Sequence, residues 1–332
     1  MQRKPDDEAI GAFFAELSQA PWLYARQRAW PRFFFHVTDA ANVVSILHDR
    51  ELLCRDIAQA TGRMQNDNAS AEVLDGTHPA YFEAVRLYFR PRTPTFWHNE
   101  GICPQGRCTK YRAHCPMPVA LLFDAAEVAG QTGVIFSSGN LAGSATRVGS
   151  DLEFLRSLNF EGIYHDQPPP AAEKARIQAA RQSEIMVPGG LPLTALRRIA
   201  SRSHAERQTL RTMLDDAGVQ SPVAADAFVA DYRCFHGHRT YVEHVIHDGE
   251  RLIVAFNQPT ETPGPYTANL VVTPVDTGET ATKTFSIKAD ATLRCGLPRP
   301  FWHQPLRVDL YLDRFRAFSG ILRPVPSMSL LS

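Results

Sequence analysis

Ala180-Arg181-Gln182-Ser183-Glu184-Ile185-Met186-Val187-Pro188 begins polar and turns apolar, the pattern of a strand entering a core from a loop. Residues two apart on a strand point to the same face. The stretch therefore predicts Gln182 and Glu184 side by side, with Glu184 the deeper. A carboxylate and an amide so paired can bind the hydroxyls of a ribose. The same triplet also fits an ordinary edge strand with solvated polar residues, and the segments upstream bear on the choice.

Upstream, Phe33-Phe34-Phe35-His36-Val37-Thr38 reads as a buried strand. Asp39 is placed to cap a helix from Ala40 to Asp49 whose apolar positions Val43, Val44, Ile46 and Leu47 cover one face. His36 and Thr38 share a strand face at the mouth of that helix, where an anionic group such as a pyrophosphate is favoured. A core histidine with a satisfied hydrogen bond fits the same residues. Residues 58–79 read as a long polar loop, a length usually reserved for functional or mobile segments. Tyr81 to Arg90 reads as a strand that runs into an extended aromatic segment ending at Trp97. Arg86, Arg90 and Arg92, interleaved with Tyr88, Phe89, Phe96 and Trp97, suit phosphate contacts beside base stacking. They equally suit an arginine-fringed edge strand.

A helix is expected over Pro5 to Gln19, and strands at Val119–Phe123, Val134–Phe136 and Phe160–His165. Ser150 with Glu153, and Ser203 with Glu206, are candidate capping boxes for two further helices. Pro168 to Ala180 reads as a loop with a helical turn at most. Short strands without regular βαβ spacing point to an α+β domain. No Gly-x-Gly-x-x-Gly follows a strand, so any dinucleotide site is not of the Rossmann type. Gly218 to Ala227 reads as a linker. Beyond it, short alternating runs separated by Asp248-Gly249, Pro263-Gly264 and Thr277-Gly278 read as an all-β sandwich of six or seven strands. This predicts two domains, 1–220 and 228–332. His236, His238, His244 and His247 are expected at the surface of the second.

With 35 Lys+Arg against 35 Asp+Glu the formal net charge is zero, so charge alone makes no case for nucleic acid. Only five of the 35 basic residues are lysines. Arginine suits bidentate phosphate binding and stacking on bases, although a GC-rich genome produces the same bias. No run approaches the roughly 20 apolar residues of a membrane helix. Met1 to Glu8 is too polar for a secretory signal, so a cytoplasmic location and reduced thiols are expected. His98, Cys103, Cys108, His114 and Cys115 crowd one segment. Cys103, Cys108, Cys115 and His98 form a possible zinc set, but no Cys-x-x-Cys spacing is present, and free or buried thiols are the default. No metal is expected.

Four segments in order resemble the DarT family of bacterial ADP-ribosyltransferase toxins. They are His36-Val37-Thr38 with Asn42 and Ile46-Leu47; Val85-Arg86-Leu87-Tyr88-Phe89-Arg90-Pro91-Arg92-Thr93-Pro94; Phe136 to Asn140; and Arg181-Gln182-Ser183-Glu184. The resemblance covers roughly residues 30 to 215. It implies an ADP-ribosyltransferase-type split β-sheet clasping NAD, the substrate, followed here by an accessory β-sandwich (Ig-like). It also implies transfer of ADP-ribose to a nucleobase in single-stranded DNA, within a toxin–antitoxin or anti-phage defence system, and a macrodomain antitoxin as partner. The implied catalytic residues are Glu184 and Gln182. His36, Thr38 and Asn42 are implied at the NAD, with an arginine on the pyrophosphate for which Arg55, Arg63, Arg86 and Arg92 compete. Arg86 and Arg92 are the working candidates. Lys174, Arg176 and Arg181, with Arg90, are expected to face nucleic-acid phosphates. RNA or protein as the acceptor, and an inactive single-stranded nucleic-acid-binding module, remain the alternatives.

Overall fold

The structure is a computed structural model. It describes residues 2–68, 81–104, 107, 113–261, 263–290 and 292–325. The expected 58–79 loop and Cys108 therefore lie in part or wholly outside the described residues.

An eight-stranded sheet, with strands drawn from residues 33 to 230, organises the first unit of the chain. Its order is Phe228–Ala230, Leu196–Ser201, Pro118–Asp124, Phe33–Asp39, Ala84–Tyr88, Glu184–Pro188, Ile135–Ser137 and Val148–Gly149. Every neighbouring pair is antiparallel except the first, where Phe228–Ala230 runs parallel to Leu196–Ser201. The central strands are apolar runs: Pro118–Asp124 buries all but its last residue. Helix Asp7–Leu17 buries Ile10, Phe14 and Leu17 in this core. The expected cap on helix Ala40–Asp49 is present, with the Ala41 amide donating to Asp39 Oδ1 at 3.0 Å.

The sheet is split at its middle. Phe33–Asp39 pairs along its whole length with Pro118–Asp124, from Phe33 opposite Asp124 to Asp39 opposite Pro118. Against Ala84–Tyr88, by contrast, only Phe35 and Tyr88 are in register. Beyond that pair the two strands part, and a cleft opens between them.

Several local expectations are corrected. Phe160–Tyr164 is a helix, not a strand; the Gly162 amide donates to Asn159 Oδ1 at 3.1 Å, and Phe160, Ile163 and Tyr164 are buried on one face. The helix Leu152–Arg156 is capped by Asp151 rather than Ser150. Lys174–Ala180 is a helix of two turns, where a loop with a helical turn was expected. At the other predicted box, Ser203 Oγ accepts from the Glu206 amide, but the Glu206 carboxylate turns to Arg202 instead of closing the box.

The later residues form two antiparallel sheets over a second core. One has the order Val242–His247, Arg251–Phe256, Leu293–Gly296; the other Ala281–Ile287, Tyr266–Pro274, Leu306–Leu312, Phe315–Leu322. Alternation along Leu306–Leu312 is strict, with every second residue buried. The two cores are fastened together. Ile102 and Ala205 contribute to the second core, and Ser319 N donates to Thr209 Oγ1 at 3.0 Å. The expected surface histidines are in part interior: His238 and His247 are buried. No helix among the described residues is long and apolar enough to cross a membrane.

Candidate active site

Where the two central strands part, a cleft with a cavity volume of about 270 Å³ is lined by His36, Thr38, Asn42, Arg86, Tyr88 and Arg92, among others. Glu184 begins the strand next to Ala84–Tyr88 and sits directly opposite Tyr88. Arg86 is two residues along the same strand face. Its Nε donates to Glu184 Oε2 at 2.5 Å and its Nη2 to Oε1 at 2.7 Å, a bidentate pair. The Glu184 side chain is 1% exposed, while Arg86 is 21% exposed. Burial pulls the Arg86 guanidinium toward deprotonation, but the Glu184 carboxylate outweighs it and holds Arg86 more firmly charged than usual. Burial, and then Glu184, push the Tyr88 phenol up.

Glu184 is also fixed from behind. Its amide donates to Ser137 Oγ at 2.9 Å, and that hydroxyl donates to the Gly139 carbonyl at 2.7 Å. Gln182 is not on the strand. It lies in the turn that follows helix Lys174–Ala180. Asn140 Nδ2 donates to Gln182 Oε1 at 3.1 Å, and Gln182 Nε2 reaches the Gln178 carbonyl at 3.2 Å. Its amide is thus held beside the cleft by Asn140, itself a cleft residue.

His36 spans the split: its Nδ1 is 3.1 Å from the Arg86 carbonyl. Burial lowers its pKa, which favours the neutral ring. Thr38 and Asn42 meet each other, Asn42 Nδ2 donating to Thr38 Oγ1 at 2.9 Å and to the Asn66 carbonyl at 2.7 Å. Asn42 Oδ1 accepts from the amides of Gln65 and Asn66 at 2.8 and 2.9 Å. Apart from its bond to Thr38, Asn42 holds the backbone of Gln65 and Asn66 over the cleft, so it shapes the site through that loop.

The arginines divide by their partners. Arg55 is bidentate to Asp67 at 3.0 and 2.5 Å, at the cleft. Arg63 pairs with Asp49 at 3.0 Å. Arg92, in the left-handed region with φ 58°, donates through Nη2 to both Asp166 oxygens at 2.7 and 2.6 Å. Arg90 corrects the sequence expectation. It is 3% exposed and donates to the carbonyls of Pro91, Ile163 and His165 and to Asp166, so it anchors the chain after Tyr164 and offers no face to a polymer. Burial, then the neighbouring Arg181, lower its pKa to about 9. Arg181 is likewise engaged, donating to the His165 and Gln167 carbonyls at 2.8 and 2.5 Å. Lys174 and Arg176 are exposed, and Arg176 pairs with Glu173.

The zinc set does not assemble. Cys103 is disulfide-bonded and carries no thiolate for a metal, which also corrects the expectation of reduced thiols throughout. Cys115 is fully buried beside Asp39, its thiol pushed far up by burial. His98 lies in the short 3-10 turn Phe96–His98, and Cys108 is outside the described residues. Among the described residues no group of three or more His, Cys, Asp and Glu side chains is placed to hold a metal.

Sequence reasoning passed over Asp166, the carboxylate on which Arg26, Arg90 and Arg92 converge. It placed Tyr88 among base-stacking aromatics and Asn140 in a turn, and did not pair Tyr88 with Glu184 or Asn140 with Gln182. No local signal marks Asp166. Tyr88, two residues from Arg86 on a predicted strand, was findable by parity.

Comparison with known proteins bears on the whole first unit. Residues 35–231 match the model of the family described as "ssDNA thymidine ADP-ribosyltransferase, DarT". Among solved structures, the chain is similar to Thermus sp. 2.9 DarT in complex with ADP-ribosylated ssDNA: 19% identity, TM-score 0.48, covering 62% of this chain and 97% of that one. The same protein in complex with carba-NAD+ gives 18% identity and TM-score 0.47, with 62% and 98% covered. Thermosipho africanus DarTG in complex with ADP-ribose gives 15% identity and TM-score 0.45, with 65% and 53% covered. None of the curated proteins matches.

Proposed function

The chain belongs to the DarT family of single-stranded-DNA thymidine ADP-ribosyltransferases, and from that premise we propose that Glu184 carries its chemistry. The enzyme takes ADP-ribose from NAD and transfers it to single-stranded DNA. The observation that carries the residue assignment is the buried Glu184 carboxylate, gripped by Arg86, whose side chain lines the cleft where the sheet splits.

When the bond between the ribose C1′ and nicotinamide breaks, its electron pair leaves with nicotinamide and the ribose becomes oxocarbenium-like. A fixed, dry carboxylate stabilises that developing charge. A thymine base has a single ring N–H, at N3. For that nitrogen to bond C1′, its proton must go to a base, and Glu184 is the carboxylate on hand. Arg86 orients Glu184 before NAD arrives. The dinucleotide pyrophosphate, an anion, then competes for the guanidinium, whose Nη1 makes no hydrogen bond among the described residues. Gln182 positions the acceptor base. His36 and Thr38 hold the nicotinamide end, and Arg92 or Arg55 supports the phosphates. Lys174 and Arg176 contact the polymer.

Glu184→Gln tests this. The expected result is loss of ADP-ribose incorporation into thymidine oligonucleotides, read by mass spectrometry, with NAD binding retained. Incorporation at the parent rate overturns the assignment. Labelling of RNA or protein in place of DNA in the parent overturns the acceptor.

The biological reading follows from the chemistry. A base-modifying enzyme in the cytoplasm damages its own host's DNA, so a toxin or phage-defence role with a macrodomain antitoxin that removes the mark is the reading we favour. Residues 1–220, together with the edge strand Phe228–Ala230, form the transferase domain, and the two later sheets form an accessory β-sandwich that docks a partner. Its separate core supports this. Co-purification of the neutralising partner with the parent chain, compared with a chain carrying charged substitutions at the exposed Val275 and Ile321, tests it; equal recovery overturns it.

A further inference from the structure

Residues 22–26 lie outside the family match and carry an unusual surface. Trp22 is 36% and Tyr24 55% exposed, large aromatics open to solvent close together in sequence. The Arg26 guanidinium lies over the Tyr24 ring at 5.5 Å and is 49% exposed. Trp22 is stacked on the buried ring of Tyr164 at 6.4 Å, so its indole has one covered face and an exposed remainder. Rigid, half-covered rings are what base stacking needs, because little side-chain freedom is lost on binding.

The patch runs into the cleft through Asp166. Arg26 Nη2 is 3.4 Å, Arg92 Nη2 2.6 Å and Arg90 Nη2 3.2 Å from this one carboxylate, and Arg181 is close enough to feel its charge. Three guanidiniums pair with this single acid, with Arg181 nearby, so the spot is net positive. Arg92 lines the cleft, with a buried Nε that has no hydrogen-bond partner among the described residues. A positive excess that is partly open to solvent attracts anions, and single-stranded DNA supplies one phosphate per nucleotide.

We propose that Trp22, Tyr24 and Arg26, continuous with the Asp166-centred arginines, form an accessory track that holds single-stranded DNA beside the acceptor thymidine. Bases stack on Trp22 and Tyr24, and phosphates meet Arg26 and the open side of Arg92. The proposal rests on the DNA-modifying reading above. It adds where the strand runs, and it places that contact on a segment outside the family match.

Binding without NAD tests it, by fluorescence anisotropy with labelled thymidine-containing oligonucleotides of about 4 and about 20 nucleotides, bracketing single-strand site sizes. The parent is expected to bind the long strand more tightly. Trp22→Ala with Tyr24→Ala weakens the long strand by roughly tenfold or more and leaves the short strand unchanged. Arg26→Gln lowers the slope of log K against log salt by about 0.7, the value of one lost single-strand phosphate contact. Rates at saturating long oligonucleotide stay at the parent value for these variants, so the effect falls on KM and not on kcat. Tyr24→Ala and Arg26→Gln alter exposed side chains and keep the test independent of the packing of Trp22. Unchanged long-strand affinity in all variants overturns the proposal, as does equal weakening of both lengths, or a preference for RNA carried by these residues. A parent that binds DNA with this length dependence but transfers nothing counts against the enzymatic reading and still supports the track.

Discussion

Arg86 grips Glu184 at the wall of the cleft; Arg202 grips Glu206, and faces Glu100, at the junction between the two cores. The chemistry is the same, and the surroundings are opposite. At the junction, Arg202 and Glu206 are 1% and 3% exposed and Glu100 is fully buried. Arg202 Nη2 also donates to the Pro116 carbonyl at 2.9 Å, and its guanidinium lies 4.5 Å from the centre of the Tyr241 ring. Glu100 accepts from the amides of His236 and Gly237, both at 2.7 Å. All three charged side chains are closed off from solvent, and the cluster fastens one unit to the other. Arg86 keeps one side open to the cleft, where a ligand can compete for it. A buried ion pair is a fastener or a functional device according to whether space remains beside it.

The largest expected effect breaks the cleft pair. Glu184→Gln keeps the shape and a hydrogen bond to Arg86 but removes the charge, so ADP-ribose transfer falls by roughly 10²–10⁴-fold while the thermal midpoint moves little. A parent-like rate would erase the distinction drawn here. Next comes the fastener. Glu206→Ala leaves Arg202 buried beside a weaker partner and costs about 3–5 kcal/mol in urea unfolding, with the rate per folded molecule unchanged. If Glu206→Ala lowers turnover without lowering stability, the junction is part of the active site after all.

The junction should also be the acid-labile region. Burial first, and for His238 then Arg239, lower the pKa values of His114 and His238 to about 4 and of His236 to about 3. These rings stay neutral in the folded state while the unfolded chain takes up protons below about 6.5. The unfolded state then binds more protons, so their stability contribution is full above about 6.5 and is lost as pH falls toward 4 and 3. Glu100, raised by burial, works in the opposite sense, and three histidines oppose it. The melting temperature is expected to fall between pH 7 and 4. His238→Phe, which keeps a ring against Trp97 (centroids 4.0 Å apart, planes at 1°), should make that fall shallower; an unchanged pH profile would remove His238 from the account. The smallest effect returns to the cleft. Asn140→Ala frees the Gln182 amide and should raise KM for the oligonucleotide about fivefold, the worth of one hydrogen bond, with kcat intact.

Much of the scaffold was legible because burial writes itself as pattern. Phe33–Asp39, Pro118–Asp124 and Glu184–Pro188 are apolar runs of strand length, and Leu306–Leu312 alternates strictly. Phe160–Tyr164 was misread because five residues with three apolar ones fit either period; Asn159 before a run with apolar residues at i, i+3 and i+4 was the available clue. The surface histidines were misjudged for a different reason. Burial of His238 under Trp97 needs two segments about 140 residues apart, and no local pattern encodes that.

For this protein, the sequence by itself settled the long apolar and alternating strands, which helix Asp39 caps, that two cores form and that Glu184 enters the first of them, because periodicity and capping are local. Only the tertiary structure decided that the sheet parts after Phe35 and Tyr88, that Arg86 rather than Arg55, Arg63 or Arg92 holds Glu184, and that Arg90 is spent on carbonyls. Those outcomes depend on cross-strand register and on which long side chains find an unpaired carboxylate first, and both are fixed by distances between segments far apart in the chain.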